Sequence, residues 1–175
     1  QCGAHGANCP GDETCGRLTV GDNYSGSRAA AIGGNSGWYT TDGNPNGEDA
    51  GTVTINGGRL TLQTGMSATG IGGGSGFSDG SGGAGGNVTI NGGYVTGSSE
   101  YGNSEMIIGG GVKGYGDGGQ DGAGGTLTLN GGVLDHTGTR TANGASALAL
   151  TVNGGQVQNC TLSNGSYDFQ SGSIT

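Results

Sequence analysis

Alternation of apolar and polar positions is the strongest signal in the chain. Val53-Thr54-Ile55, Val88-Thr89-Ile90, Leu127-Thr128-Leu129 and Leu150-Thr151-Val152 each place two apolar residues on one side and a threonine on the other. A period of two predicts strands. Each strand runs into Asn-Gly-Gly, at Asn56, Asn91, Asn130 and Asn153, and then into a second apolar position, Leu60, Val95, Leu134 or Val157. Asn-Gly can close a hairpin. Tandem recurrence of the whole unit over 51–60, 86–95, 125–134 and 149–157 predicts stacked coils instead, with the four asparagines in an amide ladder at one corner. Residues 17–22 read as a degenerate first copy.

A larger repeat surrounds these units. Ala31-Ile-Gly-Gly, Gly70-Ile-Gly-Gly-Gly and Ile107-Ile-Gly-Gly-Gly each precede a Gly-aromatic pair ending in Trp38, Phe77 or Tyr115. Asp-Gly follows, at Asp42, Asp79 and Asp117. The ladder asparagines lie 35, 39 and 23 residues apart. The last interval suits a bare coil. The longer two predict coils carrying inserted Gly-rich arms, over 34–50, 74–86 and 111–125, as hairpins or as polyproline-like runs. Segments 61–69, 96–105 and 135–147 vary in length and chemistry and read as surface loops. The expected fold is all-β, a parallel β-helix or β-solenoid over 17–159 with stacked Gly-rich arms. A Cys-rich N-terminal cap (1–16) and a tail or last irregular coil (160–175) complete it.

Composition narrows the picture. The 175 residues include 47 Gly but only 1 Trp, 2 Phe, 6 Tyr and 2 Met, so the core is thin. Gly does not fall at every third position, which excludes collagen. The net charge of −8, with only 5 Lys plus Arg, argues against nucleic acid and anionic membranes and favours cations. No apolar run has the ~20 residues of a membrane helix.

Cys2, Cys9 and Cys15 lack zinc-site spacing, and with Cys160 they predict disulfides in an oxidising compartment. Sequons at Asn23, Asn87, Asn159 and Asn164 fit a secreted or cell-surface glycoprotein. Three N-terminal cysteines cannot pair evenly among themselves. Cys160 lies about five coils away, roughly 20 Å along the stack. An intrachain bridge therefore needs a folded-back cap, whereas the cap of one copy meets the tail of the next directly.

The succession of Ile-Gly-Gly-Gly, Gly-rich arm and Val-Thr-Ile-Asn-Gly-Gly over 29–157 resembles the Gly-rich, clostridial-type polysaccharide-binding β-helix proteins. The resemblance implies a non-catalytic extracellular protein with a right-handed parallel β-helix and bound calcium. The cap and the tail depart from that pattern.

Candidate chemistry follows. Asp42, Glu48, Asp49, Asp79, Asp117 and Asp121 lie in the arms and could ligate Ca2+ together with Gly-loop carbonyls; the competing reading is Asp-Gly turn chemistry. Trp38, Phe77 and Tyr115 occupy equivalent places and would form a carbohydrate-stacking strip if exposed. The favoured alternative is a small core for the arms. Thr54, Thr89, Thr128 and Thr151 form one rank beside a broken one, Thr52, Asn87, Thr126 and Ala149; an ice-binding face competes there with ordinary strand propensity. The mixed cluster Asp135, His136 and Arg140 reads as a solvated loop, so no enzyme is expected. The leading expectation is a structural subunit of a head-to-tail fibre or matrix, with copies of itself as partner. Polysaccharide binding is the alternative and ice binding the third reading.

Overall fold

The computed structural model describes residues 16–21, 27–38, 43–65, 67–98, 106–136, 149–159 and 166–175. All four cysteines, Asp42, Arg140, Asn23 and Asn164 lie outside the described residues, and with them the predicted cap. The described residues contain strands and no helix.

Every strand pairing is parallel. The alternating segments form a five-stranded sheet: β3 (Thr52–Ile55), β6 (Asn87–Ile90), β9 (Thr126–Leu129), β11 (Ala149–Val152) and β13 (Ser166–Phe169). The segments after Asn-Gly-Gly form a second sheet: β4 (Arg59–Gln63), β7 (Tyr94–Ser98), β10 (Val133–His136), β12 (Gln156–Gln158) and β14 (Ser173–Ile174), with β1 (Arg17–Gly21) at its other edge. A third sheet joins β2 (Ile32–Gly33), β5 (Thr69–Gly72) and β8 (Met106–Gly109), the strands of the Ile-Gly-Gly motifs. The hairpin alternative is therefore excluded. Each Asn-Gly-Gly turn passes the chain from the first sheet to the second, and the second glycine of each turn has positive φ, between 83° and 93°. That backbone favours glycine.

Equivalent residues stack without slippage. Val53, Val88, Leu127 and Leu150 are successive partners, as are Ile55, Ile90, Leu129 and Val152. On the second sheet Leu60, Val95, Leu134, Val157 and Ile174 align. The inward sets meet in one core, which Leu62, Ile71 and Ile108 complete. Val53 and Ile55 are only partly buried, on the edge strand β3.

Two expectations need correction, and the reading of the tail as a last coil holds. The segment read as a degenerate first copy is not one where it is described: β1 (Arg17–Gly21) pairs with β4, Leu18 opposite Leu60. The segments read as loops begin inside strands, since Thr61–Gln63 belongs to β4 and Leu62 is fully buried, while Thr96 and Asp135 are buried members of β7 and β10. Asp135 is thus no part of a solvated loop. The tail continues the stack, β13 on β11 and β14 on β12.

The arms are neither pleated hairpins nor loops. Runs 34–38, 73–77 and 110–114 lead out, and runs 44–50, 80–86 and 119–125 return. Their hydrogen bonds recur every three residues. Gly73 and Gly76 donate to Gly109, the last residue of β8, and to Val112 of the next outgoing run, while Gly74 and Phe77 donate to Glu48 and Pro45 of the preceding return run. On the way back, Gly80 and Gly83 donate to Phe77 and Gly74, and Gly82 and Gly85 to Gln120 and Ala123. A three-residue period with no bonds within a run is the signature of polyproline II. The runs form a two-layer bundle in which each backbone, not each side chain, is the packing unit. A Cβ on Gly83 would sit 1.9 Å from the carbonyl oxygen of Glu48, so only glycine fits there.

Candidate functional site

Stacking of the arms brings the aromatic residues together. Each aromatic ends an outgoing run, and the runs are held in register by bonds such as Gly37 N to Ser75 O and Gly76 N to Val112 O, both 2.8 Å. Trp38 and Phe77 have ring centroids 5.7 Å apart at 32°, and Phe77 and Tyr115 5.2 Å apart, edge to face at 81°. The column is not the buried core of the arms. Trp38 is 62% and Tyr115 69% exposed, with Phe77 partly buried between them. The expectation of a small arm core fails because the glycine backbones pack directly on one another and leave no interior for side chains at the tips.

Arg28 braces this strip. It donates to the Gly76 carbonyl at 2.7 Å, and its guanidinium carbon lies 5.8 Å from the Tyr115 ring centroid. Asp79 and Asp117 are exposed on the neighbouring tips. Asp79 Oδ1 accepts from Gly118 N at 3.4 Å. The tips therefore offer apolar ring faces beside anionic acceptors.

The carboxylates proposed for calcium are spread along the arms. Asp49 Oδ1 accepts from Ala84 N at 2.6 Å and Asp121 Oδ1 from Lys113 N at 2.7 Å. Asn46 Oδ1 accepts from Ser81 N at 2.8 Å in the same way. Asn46 and Asp49 thus satisfy N–H groups of run 80–86, and Asp121 one of run 110–114, that no backbone carbonyl reaches. Glu48 is exposed and uses its backbone to join two runs. No group of three or more His, Cys, Asp or Glu able to hold a metal ion occurs among the described residues.

Two of the sequon asparagines lie among the described residues. Asn87, on β6, accepts from Thr126 Oγ1 at 2.8 Å. Asn159 donates its amide to Asp135 Oδ1 at 2.7 Å and has a φ of 53°. The asparagine ladder forms as expected: Asn91, Asn130 and Asn153 each donate Nδ2 to the Oδ1 of the preceding asparagine at 2.8 Å.

Sequence reasoning missed a polar network on the second sheet. The Tyr94 hydroxyl donates to Asp135 Oδ2, and Arg59 lies over the Tyr94 ring at 4.6 Å. Asp135 is only 5% exposed. The hydrogen bond to Asp135, with burial and that carboxylate's charge, raises the Tyr94 phenol above its ordinary 10.0. Only the register Tyr94–Val133, which puts Asp135 one layer beyond Thr96, brings these residues together.

Among the described residues no helix is long and apolar enough to cross a membrane. Comparison with protein-family models, curated proteins and solved structures returns no match.

Proposed function

We propose that the protein is a secreted, non-catalytic β-solenoid that binds polysaccharide at its arm tips. The exposure of Trp38 and Tyr115 on either side of Phe77 carries this reading. Sugar rings present apolar C–H faces that pack on aromatics, and their hydroxyls suit carboxylate acceptors such as Asp79 and Asp117. The acidic net charge favours neutral or amine-bearing chains over polyanionic ones. The resemblance of the repeat to Gly-rich polysaccharide-binding β-helix proteins points the same way.

Pull-down on insoluble cellulose, chitin and β-glucan tests the reading. Trp38→Ala and Tyr115→Ala each remove an aromatic contact of about 1 kcal/mol beyond area burial, so retention should fall several-fold with the melting midpoint unchanged. Undiminished retention in both variants, or no retention of the parent chain, would sink it. Calcium enters as a stabiliser of the acidic arms. A bound ion should raise the melting midpoint, and chelation should lower it. Identical midpoints remove calcium from the proposal.

Head-to-tail assembly is a second reading, favoured by residues at the edges of the stack. Leu18 on β1 and Phe169 and Ile174 on β13 and β14 align with core positions yet are 60%, 42% and 48% exposed. Parallel edges that have no partner strand among the described residues and carry apolar rims accept another copy in the same register. Sedimentation should show oligomers that Phe169→Lys disperses. A covalent form through the cysteines would run as a ladder on non-reducing electrophoresis and collapse with reductant. A monomer in both measurements ends this reading.

A further inference from the structure

The outward face of the five-stranded sheet is a second regular surface, separate from the arm tips. Its four layers β3, β6, β9 and β11 present Thr52, Thr54 and Asn56; Asn87, Thr89 and Asn91; Thr126, Thr128 and Asn130; and Ala149, Thr151 and Asn153. The register is unbroken across all four. Neighbouring layers lie about 4.8 Å apart and alternate residues about 6.7 Å apart along a strand, which makes a two-dimensional grid. The rank that looks broken in sequence is bridged between β6 and β9, where Asn87 accepts from Thr126. The asparagine ladder edges the grid, and such side-chain ladders hold parallel sheets flat.

The chemistry of this face is uniform. None of the 13 acidic or 5 basic residues falls at these twelve positions. The opposite sheet, in contrast, exposes a mixture in its corresponding rank, with Arg17, Arg59, Tyr94, Val133 and Gln156 in register. Asp168 on β13 marks the border of the neutral grid. Threonine is stiff at χ1, so its hydroxyls are pre-positioned by the backbone. Asn91 and Asn130, in the interior of the column, each spend one N–H and one lone pair on their neighbours, leaving one donor and one acceptor apiece.

A face of this kind is a poor site for a soluble protein, since it has no aromatic or arginine anchor and no charge to steer one. Single hydroxyl contacts are worth about 1 kcal/mol or less net, too little for a small ligand. A rigid, neutral, periodic hydrogen-bonding solid engages every position at once, and the contacts then act as one multivalent set. We propose that this face binds the surface of ice.

The test uses the full chain, grown into a polycrystalline ice hemisphere from dilute solution and assayed for inhibition of recrystallisation. The parent protein should be incorporated into ice and keep grains small. The double variant Thr89→Lys/Thr128→Lys should be excluded from ice and lose inhibition, while Trp38→Ala should retain both, which separates this face from the glycan site. Thr128→Val keeps shape and methyl while removing one hydroxyl, and it should weaken inhibition if the lysine variant fails to fold. Exclusion of the parent chain from ice overturns the proposal. So does full activity in the folded lysine variant or, where that variant does not fold, in Thr128→Val.

Discussion

At the scale of single residues, two positions state the physics most sharply. Gly83 sits where the Cβ of any other residue would overlap a carbonyl of the adjoining run, and the obstruction is backbone that cannot rotate away. Gly83→Ala should therefore cost more than the usual surface substitution, on the order of 4 kcal/mol, read as a loss of denaturation midpoint. Tyr94 supplies the second. Its folded pKa is raised by the bond to Asp135, so the stability tied to its proton is complete below pH 10 and is lost as pH climbs through the raised value. Spectrophotometric titration should find a tyrosine ionising above 10.0. Asp135→Asn should bring it back toward 10.0. Coincident titration of Tyr94 in both proteins would break that assignment.

At the scale of elements, the ladder and the core respond differently. Asn91→Ala removes an amide that bonds both Asn56 and Asn130 on the exposed corner, so about 1–2 kcal/mol should be lost with the denaturant slope unchanged. Leu129→Ala empties a fully buried site between layers and should cost about 2–5 kcal/mol. Both elements were legible in sequence, because period-two alternation and a repeated Asn-Gly-Gly are local signals that survive in one dimension. The third sheet was not. Ile71 is a single apolar residue between glycines and Ile108 ends the unalternating run Met106-Ile107-Ile108, so neither strand shows a period of two. Nor was the aromatic strip's exposure legible: Trp38, Phe77 and Tyr115 recur in a pattern that fits a core equally well, and burial depends on how closely the glycine runs approach. Asp135 looked like loop chemistry because its bonding partners lie 41 and 24 residues away in sequence.

At the scale of the whole molecule, the arms and the sheets are two different materials joined at every repeat. The sheets are held by side chains meeting in a core, while the arms are held chiefly by main chain, with Asn46, Asp49 and Asp121 adding side-chain acceptors. Amide exchange should separate them. Runs 73–77 and 80–86 have neighbours on both sides, so their amides should exchange more slowly than those of 34–38 and 119–125. Equal rates in all arms would show that the bundle does not act as a stack. The main-chain construction of the arms also has an evolutionary consequence. Wherever cohesion depends on glycine and not on which side chains are present, the tips carry little of the fold's information. Ser78 and Asp79 in one arm and Asp117 in the next can then drift quickly while the glycines stay fixed. A lineage could exchange one surface specificity for another by rewriting a few codons at each tip, as antibodies do with hypervariable loops, without renegotiating the scaffold beneath.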